Sequence, residues 1–94
     1  MPKLINKERF EDIDDELGYS YVGYYFKIQS GNTLFRLAKY DDESSILITE
    51  PMVVNIELAD TLALLIYIRT ELYDEGIEIL YLGDEGYEPV PSIY

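Results

Sequence analysis

Carboxylates and tyrosine rings are the abundant reactive groups of this chain, and they are unevenly placed. Its 94 residues include 19 Asp or Glu, 7 Lys or Arg and 10 Tyr, with neither Cys nor His. Residues 41–94 carry 13 of the acids and a single base, Arg69, whereas residues 1–40 carry six of each. The formal net charge of −12 therefore belongs entirely to the second half. Without histidine the usual general base, the usual zinc ligand and the Ser-His-Asp triad are excluded. Without cysteine there are no disulfides, thiolate nucleophiles or thiolate metal sites.

The remaining chemistry is that of carboxylates. Asp41-Asp42-Glu43 and Asp84-Glu85-Gly86 lack the alternating oxygen ligands and terminal Glu of a calcium loop, so they read as solvated turns. Gly83-Asp84-Glu85-Gly86 neither precedes a helix nor carries Lys, so it is not a phosphate cradle. Carboxylate pairs of the glycosidase kind arise by chance at this density of acids. No catalytic residue, cofactor or metal ligand is expected, and the chain reads as non-enzymatic.

As a surface the acids are more informative. Acids at i and i+4 on a helix stand about 5–6 Å apart. Phosphates along one nucleic-acid strand stand about 6–7 Å apart, so a folded acidic surface can imitate a phosphate track. The plainer alternative is that acids keep a small domain soluble, yet the charge exceeds the magnitude of about 2–8 that solubility asks for. Tyrosine supplies large, fairly rigid contact area with a polar tip. A Tyr21/Tyr25 row flanked by acids suits an Arg-rich partner through cation–π contact and ion pairing. The alternative is that a helix covers each sheet face and these rings belong to the core.

Several elements must position these groups. Asn6–Leu17 reads as an amphipathic helix, with Phe10, Ile13 and Leu17 on one stripe and Gly18 as terminator. Its acids Glu11, Asp12, Asp14, Asp15 and Glu16 then lie toward the C-terminal end, against the helix dipole. Tyr19–Ile28 alternates as a strand, with Val22, Tyr24, Phe26 and Ile28 facing the core. After a turn at residues 29–32, Thr33–Tyr40 returns as its hairpin partner. Ile46–Thr49 is a third strand, and Met52–Ile56 reads as a short fourth or an approach to the next helix. That helix runs over Ala59–Tyr73, around the apolar run Leu62–Ile68. Glu78–Leu82 reads as a last strand.

The expected fold is α+β, with a small antiparallel sheet of 3–5 strands and two helices in the order α-β-β-β-(β)-α-β. A compact domain spans residues 1–83 and an acidic tail residues 84–94. The N-terminal residues are too polar for a signal peptide, and the apolar run is far short of the roughly 20 residues that cross a bilayer. A cytoplasmic location is expected, the host cell cytoplasm for a phage-encoded chain.

In composition the chain resembles the small acidic inhibitors that phages use against restriction or CRISPR machinery. It is also similar to immunity proteins and antitoxins that neutralise basic nucleases. The resemblance covers composition alone. It implies an acidic protein that inhibits a basic, nucleic-acid-handling partner by occupying its phosphate-binding surface, with no direct contact to nucleic acid or membrane. The expected contact set is Glu11, Asp12, Asp14, Asp15, Glu16, Tyr21, Tyr25, Asp41, Asp42, Glu43, Asp74, Glu75, Asp84, Glu85 and Tyr87. A self-associating structural subunit is the second expectation.

Overall fold

Alternation of side chains organises the centre of the fold. A computed structural model describes residues 1–83 and 86–90, apart from the side chains of Asp14 and Tyr19. In Tyr19–Ser30 (β2) the even-numbered residues Phe26 and Ile28 are buried, and across the hairpin they meet Leu37 and Phe35 of Thr33–Tyr40 (β3). Ser45–Glu50 (β4) continues the meander and adds Ile46 and Ile48 to the same face. Period-2 burial of this kind is what a sheet with one covered face produces.

The first element corrects the sequence reading. Residues Asn6–Leu17 do not form a helix; Lys3–Asp14 is a strand (β1), paired antiparallel with β2 from Lys3↔Gln29 to Asp14↔Tyr19. Phe10 and Ile13, expected on one stripe, point to opposite faces because they are three residues apart on a strand. Gly18 does not terminate a helix but takes φ 73° in the turn that joins β1 to β2. A shift of register between Leu4 and Asn6 resets the faces. Beyond it Lys7, Arg9 and Glu11 lie on the core side, and Asn6, Glu8, Phe10 and Asp12 on the other.

The second half of the chain supplies the cover. β4 pairs parallel with Glu78–Gly83 (β5), and a parallel pair needs a crossover connection. The crossover carries the nine-residue helix Ala59–Tyr67 (α1), followed by a π-helical turn over Ile68–Leu72. The expected single helix Ala59–Tyr73 is thus shorter in its α part, and Tyr73 donates its N–H to the Ile68 carbonyl at 2.7 Å. Ile66 is half exposed, so the helix is not buried all round. Met52–Ile56 forms no strand.

Leu64, Leu65 and Ile68 close over Phe26, Ile28, Phe35, Leu37, Ile46, Ile48 and Ile79 to make the core. The start of α1 is tied to the β2–β3 turn. The Asp60 carbonyl accepts from Ser30 Oγ at 2.6 Å, and its carboxylate from Asn32 N–H at 3.1 Å and Thr33 Oγ1 at 2.9 Å. Within the segment read as a tail, Gly86–Pro89 is a strand (β6) antiparallel to β5.

The result is a six-stranded mixed sheet in the order β1-β2-β3-β4-β5-β6, with one helix on one face. It replaces the expected sheet of 3–5 strands with two helices, within the α+β class. Since only one helix exists among the described residues, the other sheet face has no cover.

Candidate open sheet face and acidic end

The uncovered face is built from the residues that alternate away from the core. Phe10 stands directly across from Gly23. A Cβ at Gly23 would lie 2.2 Å from the Lys39 carbonyl oxygen and 2.8 Å from the Phe10 ring, so only glycine fits beneath this ring. Phe10 stacks on Tyr25 at 4.3 Å between centroids and makes a T-shaped contact with Tyr40 at 5.4 Å. Tyr21 meets Tyr40 at 6.2 Å, again edge to ring. Tyr21, Tyr25 and Tyr87 remain 48%, 45% and 45% exposed, which removes the alternative that these rings are core. Tyr24, on the covered face, does pack against the core as expected.

Tyr40 lies at the centre of this face. Partial burial raises its phenol above the ordinary value of about 10, reinforced by Tyr25, Tyr87, Asp12 and Tyr21. Tyr73, on the covered side, is raised in the same direction by burial and then by Asp41. A phenol whose folded value is raised keeps its proton longer in the folded state than in the unfolded chain. Its contribution to stability is complete below pH 10 and is lost as pH rises through the folded value. A denaturant series from pH 8 to 11 should therefore show a midpoint that falls above about pH 10. An unchanged midpoint in a Tyr40→Phe, Tyr73→Phe double variant would confirm the source.

Beside Tyr40 the face dips into a groove lined by Glu43, Ser45, Leu47, Leu80 and Tyr87. Farther along, Lys27 and Arg36 border a second depression with Asn6, Glu8 and Thr49, and Arg36 pairs with Glu50 at 3.1 Å. The face thus runs from a mixed-charge end, through aromatic rings, to an acidic end.

The acidic end is assembled from several segments. Pairing of β3 with β2 stops at Gly23↔Tyr40. Beyond that point β1 and β2 continue alone as a two-stranded arm through Glu11↔Val22, Asp12↔Tyr21 and Ile13↔Ser20. Asp15 and Glu16 sit exposed in the turn at its tip. Asp41 roots the arm by donating its N–H to the Val22 carbonyl at 2.8 Å. Arg9, Glu11, Asp41 and Asp42 border one hollow at the arm's base. Lys39, Glu43, Tyr73 and Asp74 border another beside it. The first-segment acids and those of residues 41–43 and 74–75 therefore share one end of the sheet. Within the arm the acids divide between faces, Asp12 with the tyrosines and Glu11 with the helix side.

Asp41 and Asp74 are engaged in local contacts. Arg9 donates Nη1 and Nη2 to the two carboxylate oxygens of Asp41 at 2.9 and 2.8 Å. This hydrogen-bonded pair holds the Asp41 carboxyl below, and the Arg9 guanidinium above, its ordinary value. The Arg9 guanidinium also lies 4.8 Å from the Tyr24 ring centroid, and Lys7 Nζ lies 4.4 Å from it. Asp74 Oδ1 accepts from the Gly76 N–H at 2.9 Å and shapes its own turn.

Of the expected contact set, Glu11, Asp12, Asp15, Glu16, Asp41, Asp42, Glu43, Asp74 and Glu75 fall at the acidic end. Tyr21, Tyr25 and Tyr87 lie on the open face. For Asp14 only the strand position is described, and Asp84 and Glu85 lie outside the described residues. Phe10, Tyr40, Leu47 and Leu80 belong to the site but were not expected there. Tyr40 was within reach of the alternation in Thr33–Tyr40, which places it opposite Leu37; Phe10 was hidden by the helical reading of its segment. Glu78, exposed at the start of β5 and paired with Ser45, joins the acidic end as well.

Among the described residues no group of three or more acids is arranged to hold a metal ion, and no helix is long and apolar enough to cross a membrane. Comparison with known proteins finds no match to a family model, to a curated protein or to a solved structure.

Proposed function

We propose that this chain is a non-enzymatic inhibitor that binds a basic, nucleic-acid-handling protein and occupies its phosphate-binding surface. The observation that carries this reading is the junction of an uncovered tyrosine face with an acidic end drawn from distant segments. Alternate residues on a strand stand about 6.6–6.8 Å apart, so an acidic strand keeps close to the phosphate spacing of about 6–7 Å. The acidic end steers the partner and the rings supply contact area once water is displaced. Restriction or CRISPR machinery and basic nuclease toxins are the partner classes that fit, met in the cytoplasm. Affinity capture from a nuclease-treated host lysate should retain a basic protein, and the complex should weaken steeply as salt rises. Affinity that is indifferent to salt would remove the electrostatic mechanism.

One observation favours a second reading, self-association. The open face carries Lys27 and Arg36 toward one end and acids at the other, so two copies stacked head to tail are complementary. Light scattering at rising concentration separates the two readings.

A further inference from the structure

We infer that the groove between Tyr40 and Tyr87 is a slot for an arginine side chain presented by the partner. The inference rests on the proposal of a basic partner and names the chemistry by which this face would select it. The half-open groove offers about 220 Å³, room for one long side chain. Leu47 and Leu80 line it with apolar surface for the methylene stem, Tyr40 and Tyr87 line it with aromatic residues, and Glu43 is the acidic residue at its border.

The chain carries a filled version of the same arrangement on its covered side. There the Arg9 guanidinium lies over Tyr24 at 4.8 Å while both its terminal nitrogens bond to Asp41. Tyr40 with Tyr87 and Glu43 again brings rings and an acidic residue together, and among the described residues no cation–π contact or ion pair engages them. The neighbouring base does not supply one. Lys39 Nζ donates to the backbone carbonyls of Tyr40, at 2.6 Å, and of Glu43. Arginine fits the slot better than lysine because its guanidinium is planar, weakly hydrated and bonds a carboxylate in two places. A lysine ammonium would keep more of its water and act as a point charge.

The test uses the whole chain with oligo-arginine and oligo-lysine peptides of equal length, at low salt, by calorimetry. Oligo-arginine is expected to bind about tenfold tighter, the scale of one well-placed cation–π and carboxylate contact. Tyr87→Leu keeps the apolar area but removes the ring, and Glu43→Gln removes the charge. Each should reduce the preference toward unity while leaving oligo-lysine binding within about twofold. Circular dichroism checks both variants, and if one misfolds the other decides.

Equal affinity for both peptides in the unaltered chain overturns the slot and leaves the acidic-inhibitor reading standing. Failure of both peptides to bind overturns the slot and that reading together. A preference that survives Tyr87→Leu and Glu43→Gln places arginine elsewhere and overturns the slot. A stable dimer that blocks the peptides assigns the face to a second copy, and also overturns it.

Discussion

Replacing the arm acids by their amides (Glu11→Gln, Asp12→Asn, Asp15→Asn, Glu16→Gln) should slow association with the basic partner by about 10–100-fold at low salt. The arm projects beyond β3, so its charges meet an approaching partner before the rest of the surface does. Clefts and projections of one sign raise association rates by about 10–1,000-fold, and the effect is screened over about 8 Å at physiological ionic strength. The variant should therefore lose its deficit as salt rises, and its dissociation rate should change much less. Glu57→Gln, just before α1 and at the opposite end from the arm, should leave the association rate nearly unchanged. Stopped-flow association over a salt series reads both. An equal slowing by Glu57→Gln would mean that overall charge, not the arm, guides the encounter.

Phe35→Ala should be the most destabilising of the simple substitutions, at about 3–5 kcal/mol. Phe35 is 1% exposed, pairs with Ile28 across the β2–β3 hairpin and belongs to the cluster closed by Leu64, Leu65 and Ile68. Truncation loses the transfer energy of the ring and leaves a cavity that the sheet backbone cannot fill. A domain of this length has roughly 5–14 kcal/mol in all, so this one change removes a large fraction. Tyr87→Ala, on the uncovered face, should cost about 1 kcal/mol or less. Urea unfolding followed by circular dichroism measures the two. Comparable losses at both positions would mean that the open face is as well packed as the covered one.

The segments with the strongest alternation were the most legible. In Tyr19–Ser30 the even positions from Val22 onward are half-buried or buried and the odd positions carry the tyrosine row, so both the core and part of the contact face followed from period 2. β1 was misread because its sides give no such signal. It is an edge strand whose outer half extends past the core, and Lys7, Arg9 and Glu11 occupy positions where a central strand would place Val or Ile. What remained was Phe10, Ile13 and Leu17 at spacings of three and four, set among Glu, Lys and Arg that favour helices. Pairing with β2 along its whole length overrode that preference. The apparent conflict between the acids and a helix dipole disappears, because those acids sit on a strand and its turn. β6 was hidden in the same way, since Gly86 and Pro89 resemble a loop and are tolerated only because the strand lies at an edge.

The charged contact residues were largely visible from composition, because acids in a solvated chain end up on its surface wherever the fold goes. Their convergence was not. Nothing local links Asp15 to Asp74; what unites them is that the parallel pair β4–β5 returns the chain to the end where β1 meets β2.

Strand order in this sheet is also the order of synthesis, and that has a consequence before the protein is complete. The first three strands can pair as they leave the ribosome, at roughly 5–20 residues per second. That nascent meander carries no net charge, since residues 1–40 balance. Until Leu64, Leu65 and Ile68 arrive, Phe26, Ile28, Phe35 and Leu37 are as bare as the tyrosine side. A neutral three-stranded sheet with two apolar sides is a sticky intermediate. The segment that covers it is the same segment that brings the whole negative charge, so cover and mutual repulsion arrive together. A fragment ending near residue 40 should thus associate with itself or with chaperones far more readily than the 94-residue chain.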